Sequence, residues 1–152
     1  MRSRVPLAVF VLLVVTALPV RAAGFDDKIF DQQSIDSLAA RASQAQPREQ
    51  CFLYAELVHQ MTEFSLRLYA AGDIEKADEL LKQTQQFANK IHLSIAGDDK
   101  RLKNAEILLR HTAFRLNEML HSSSIEDRPL VEQTLAQVNQ AQTEAMMQVF
   151  RK

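Results

Sequence analysis

Four chain breakers, Pro47, Gly72, Gly97 and Pro129, divide most of this chain into intervals of 25, 25 and 32 residues rich in Ala, Leu, Gln, Glu and Lys. Those residues favour helix, and each interval is long enough for a helix of about six turns plus a short connection. No alternating apolar and polar run competes with this reading. The spacing therefore predicts an all-α fold, an up-down antiparallel four-helix bundle with a short N-terminal extra helix. A chain of 152 residues that is 47% hydrophobic and 24% charged suits one globular domain and excludes a disordered or collagen-like one.

Apolar residues recur at helical spacing in each interval. From Pro47 to Ala71 the stripe is Tyr54, Leu57, Val58, Met61, Ser65 and Leu68, opposite Glu49, Glu56, Gln60, Glu63 and Arg67. Pro47 fits the first turn and Gly72 the position past the end. Asp73 is placed to cap the next helix, whose stripe is Ile74, Ala77, Leu81, Thr84, Ala88, Ile91 and Ile95, widened by Leu80 and Phe87. After Gly97, Asp98 or Asp99 is placed to cap a third helix with Leu102, Ala105, Leu109, Thr112, Leu116 and Met119 inward, flanked by Leu108 and Phe114. The last helix enters near Asp127 and Pro129 and carries Val131, Leu135, Val138, Ala141, Ala145 and Val149, with a Gln-rich polar face. Ahead of Pro47, Ser34 is placed to cap a shorter helix with Ile35, Leu38, Ala39 and Ala42 inward, and Phe25, Ile29 and Phe30 can fold back as a lid.

The first residues have a different logic. Arg2 and Arg4 precede an apolar run from Val5 to Val20, followed by Arg21, Ala22 and Ala23, the order of a secretory signal peptide. Cleavage after Ala22 is expected, because cleavage after Ala23 would put Arg21 where a small residue belongs. The run of 16 residues falls short of the roughly 20 that a spanning helix needs. The expected organisation is a signal peptide over 1–22, an N-terminal segment over 23–46 and the bundle over 47–152, exported to the periplasm or outside the cell. Removal of 1–22 leaves 15 basic and 19 acidic side chains, a net charge of -4. That lacks the basic field nucleic acid requires. With Cys51 the sole cysteine, no intrachain disulfide can form and no lipid is attached at the cleavage point; the thiol is expected to be buried and inert, an intermolecular disulfide being the alternative.

The segment Leu68-Tyr69-Ala70-Ala71-Gly72-Asp73-Ile74-Glu75-Lys76-Ala77, with Leu81 and Thr84, resembles the turn of a tetratricopeptide repeat. The repeat does not continue: Glu106 stands 34 residues after Gly72, so an ordinary helical hairpin is expected here. More broadly, Pro47-Arg48-Glu49-Gln50-Cys51-Phe52-Leu53-Tyr54, Glu56-Leu57-Val58-His59 and Lys100-Arg101-Leu102-Lys103-Asn104-Ala105-Glu106 are similar to small uncharacterised exported bacterial helical-bundle proteins. That resemblance implies export and a helical fold, and no activity.

Chemistry-bearing residues are sparse. Glu56-x-x-His59 has the spacing of a carboxylate-bridged di-metal helix, but no second such pair exists, and both residues fall on the polar side of their stripe. His111 lies seven residues from Asn104 and from Glu118, and Glu49, Glu56 and Glu63 repeat at the same interval. Polar lines at that spacing usually flank a packed seam. If the first and third long helices are neighbours, Glu56, His59, His111 and Glu118 form the one seam where a metal could sit; the expectation is a rim of ion pairs, without metal or other cofactor. Met61, Met119, Met146 and Met147 read as core filler. No haem-attachment motif, phosphate loop or nucleophile elbow is present, so an enzyme is not expected. The expected role is protein interaction or structure in the cell envelope, through the Gln-rich face of the last helix and the Phe25–Phe30 segment; a metal- or small-ligand-binding bundle is the alternative.

Overall fold

The computed structural model describes residues 30–94 and 101–151. The signal segment, its cleavage position, Phe25, Ile29, Ile95, Gly97, Asp98 and Asp99 lie outside them. The elements are α1 (Gln32–Gln44), α2 (Pro47–Ala70), α3 (Ile74–Ser94), α4 (Leu102–Ser122) and α5 (Arg128–Phe150). The fold is all-α, with four long helices in an up-down bundle and a shorter N-terminal helix packed on α2.

Local chemistry sets the helix ends. Pro47 opens α2, where its missing N–H leaves nothing unpaired. At the other end Gly72 takes φ +83°, the left-handed conformation that a side chain disfavours. There the Asp73 N–H donates to the Leu68 carbonyl at 2.9 Å and the Gly72 N–H to the Tyr69 carbonyl at 3.0 Å, closing the helix before α3 turns back. Helix α1 is capped by Asp31 rather than by Ser34: the Asp31 carboxylate accepts from the Ser34 N–H at 2.8 Å, and Ser34 Oγ returns the contact to the Asp31 N–H at 3.1 Å. Ser34 is thus the third residue of a capping box.

The α2–α3 and α4–α5 hairpins lie side by side, α2 against α4 and α3 against α5. Their registers rise together. On one side Phe52 meets Arg101, His59 meets Thr112, Glu63 meets Arg115 and Tyr69 meets Ser124; on the other Gln85 meets Thr134 and His92 meets Glu144. So α2 and α4 share a direction, and α3 and α4, although successive in the chain, sit at opposite corners. Between the four helices lie Leu57, Met61, Leu81, Ile91, Leu109, Leu116, Val131 and Val138, each less than 2% exposed. Among the described residues, no helix is long and apolar enough to cross a membrane.

Several inward residues differ from the expected stripes. On α5 the spacing that faces the core is Val131, Thr134, Val138, Ala141 and Ala145, so Thr134 is buried where Leu135 was expected and Leu135 lies at the edge. Phe114 is 59% exposed and Met147 54% exposed, because no element among the described residues covers their sides of α4 and α5. Asp127 does not cap α5 with its side chain. Its carboxylate instead accepts from Tyr69 Oη at 3.0 Å and Ser124 Oγ at 2.7 Å, tying α2 to the α4–α5 turn.

Candidate functional site

Because α2 and α4 run in the same direction, one helical turn on each comes into step: His59 and Glu63 on α2 face His111, Thr112 and Arg115 on α4. The His59 and His111 ring centroids are 5.2 Å apart. Ligand atoms of His59, Glu63 and His111 all lie within 4.8 Å of one another. His59 is half-buried rather than on a solvated face, since α4 covers the side of α2 that carries it and the Phe30 ring stands edge-on at 6.3 Å.

Hydrogen bonding fixes the His59 ring. Thr112 Oγ1 donates its only proton to the Leu108 carbonyl at 2.8 Å. The contact of 3.1 Å between Thr112 Oγ1 and His59 Nδ1 therefore has the imidazole as donor, which places the lone pair on Nε2. Burial pushes the His59 imidazole below its ordinary value; His111 and Arg115 act in the same sense, against Glu63 and Glu56.

Glu63 is held from the other side. Arg115 grips its carboxylate with Nε at 2.7 Å and Nη2 at 3.2 Å, and with Nη1 also reaches Glu118. The hydrogen bond to Glu63 is the chief reason the guanidinium titrates above its ordinary value. Of the four expected seam residues, then, His59 and His111 come together and the two acids do not join them. Glu56 turns away to Arg41 of α1 at 3.5 Å, and Glu118 pairs with Arg115 one turn further along. Glu63 stands where a carboxylate ligand was sought. In the sequence it lies one turn beyond His59, as Arg115 lies one turn beyond His111, and only the packing of α2 beside α4 sets the two pairs face to face.

Cys51 is fully buried in α2. Met61 and Met119 are core residues, whereas Met146 and Met147 are exposed. No family model matches the chain, and no curated protein or solved structure matches it.

Proposed function

We propose that this chain is an exported, non-enzymatic helical bundle that acts by binding another protein of the cell envelope, through the outer faces of α4 and α5. The observation that carries this is an asymmetry of exposed apolar side chains. Among the described residues the large ones are Ile107 and Phe114 on α4, Ile125 at 89% exposure in the following turn, and Met146, Met147 and Phe150 on α5. All of them stand on the second hairpin and none on the described part of the first, and exposed apolar surface marks contact sites. Phe30 is half-buried beside His59 and the rest of the Phe25–Phe30 segment lies outside the described residues, so the reading rests on the second hairpin. The charged, apolar and small-residue order of residues 1–22 supports export.

The test places a photo-crosslinking residue at Phe114 or Met147, with Lys82 on the exposed face of α3 as comparison, in the native host. A distinct protein adduct at Phe114 and Met147 but not at Lys82 is the expected result. Equal labelling at all three positions, or none, removes the proposed surface.

A further inference from the structure

We propose that His59, Glu63 and His111 form a binding site for a single divalent transition cation of the zinc class, held between α2 and α4. His111 lies one turn from both Ile107 and Phe114, so the site borders the outer face of α4, but none of its ligands is one of the exposed apolar side chains and neither proposal depends on the other. Two imidazoles and one carboxylate are a donor set that zinc accepts, with water as the fourth ligand. His59 and Glu63 are one turn apart on α2, so one rigid helix presents two of the three ligands, and α4 brings the third because it runs in step.

Surroundings of the cluster favour a bound cation. The proton on His59 Nδ1 is directed to Thr112 Oγ1, the arrangement in which a second protein group orients a ligating imidazole and leaves the other nitrogen for the metal. Glu63 is likewise held by Arg115, whose two bonds leave each carboxylate oxygen a further lone pair. The charges that act on His59 are Glu63 and Glu56 against Arg115, an excess of one negative charge before a metal enters. The positive charge of Arg115 weakens binding, and Glu56 offsets it.

Spacing sets the adjustment required. Tetrahedral ligands at zinc stand about 3.3 Å apart, a value that follows from metal–ligand bonds of about 2.0–2.1 Å. The ligand atoms here lie within 4.8 Å, so one group must move inward by about an ångström or more on that geometry. His111 is exposed and free to turn, while His59 is fixed by Thr112. Binding is therefore expected to order the His111 ring with little change in the backbone.

The experiment strips the full chain of metal and titrates zinc ions in competition with a chromophoric chelator. One equivalent is expected to bind. His111→Ala, at an exposed position where the fold is retained, should weaken zinc binding by about tenfold or more, the effect of losing a ligand being no smaller than that of losing an orienting group. Glu63→Gln should do the same, and His121→Ala, which alters an exposed histidine away from the cluster, should leave binding unchanged. Circular dichroism of each variant reports whether it folds, and His111→Ala decides the matter if a change at His59 unfolds the chain. Failure of the wild type to take zinc from the chelator overturns the proposal. So does uptake that His111→Ala leaves unchanged, or that His121→Ala lowers equally, which would mark scattered surface histidines.

Discussion

Helices α2 and α5 are almost equal in length, 24 and 23 residues, yet α2 buries eleven residues and α5 only five. The difference lies in their neighbours. Among the described residues, α2 packs against α1, α3 and α4, whereas α5 packs against α3 and α4 and has one side open. Enclosure on three sides carries polar residues inward with the apolar ones: Gln60, Thr62 and Ser65 are buried on α2, and His59 is drawn half inside. On α5 the reverse occurs, and Met146, Met147 and Phe150 remain in solvent. The width of a helix's buried face is set by how many elements surround it as much as by its own stripe.

The largest expected effect is in the enclosed helix. Leu57 is fully buried where α2 meets its neighbours, and Leu57→Ala should cost about 2–5 kcal/mol, read from the shift in denaturant midpoint. An unmoved midpoint would mean that α2 is not central.

A sharper probe uses the buried threonines. Thr84, Thr112 and Thr134 each donate to the carbonyl four residues back at 2.8 Å, while Thr62 Oγ1 has no hydrogen-bond partner among the described residues. Leaving a buried hydroxyl unpaired costs roughly 1–3 kcal/mol, so Thr62→Val should be neutral or raise stability by about 1 kcal/mol. Thr112→Val removes a bonded hydroxyl that also orients His59, and should lower it. Equal effects at the two positions would show that the packing around α2 does not distinguish them.

Smaller effects belong to the rim of α5. His92 on α3 meets Glu144 on α5, and the hydrogen bond from His92 holds that carboxyl below its ordinary value. A depressed folded-state carboxyl stabilises the fold above the unfolded value and loses that contribution as pH falls through the folded one. The pair sits at the rim with the His92 side chain 57% exposed, so solvent screening keeps the loss in His92→Ala under about 1 kcal/mol. That loss should shrink further between about pH 5 and pH 3 as the carboxyl protonates. Thermal unfolding of wild type and variant across this range checks the sign. Least of all, Phe114→Ser on the outer side of α4 should change stability by no more than about 0.5 kcal/mol, since the ring is 59% exposed among the described residues.

These contrasts also mark how far the sequence could be read. Pro47 and Gly72 bound α2 because proline and left-handed glycine act locally; the α4 stripe from Leu102 to Met119 lies in the core, as do Ala77, Leu81, Thr84, Ala88 and Ile91 of the α3 stripe, while Ile74 is half-buried and Ile95 lies outside the described residues. Three features depended on tertiary arrangement instead. That α2 and α4 run together cannot be read from either helix, so the partners of Glu56, Glu63 and Glu118 were open until both were placed. The exposure of Phe114 depends on the absence of a covering element among the described residues, which periodicity does not encode. The burial of Gln60, on the polar side of its stripe, follows from α2 being enclosed on three sides.

Native-state amide hydrogen exchange tests the central placement of α2 most directly. Amides of Leu57, Val58 and Met61 should exchange only through global unfolding, while those of Asn139 and Gln140 on the open side of α5 should exchange through smaller openings at lower free energy. Protection in α5 equal to or greater than that in α2 would contradict the account.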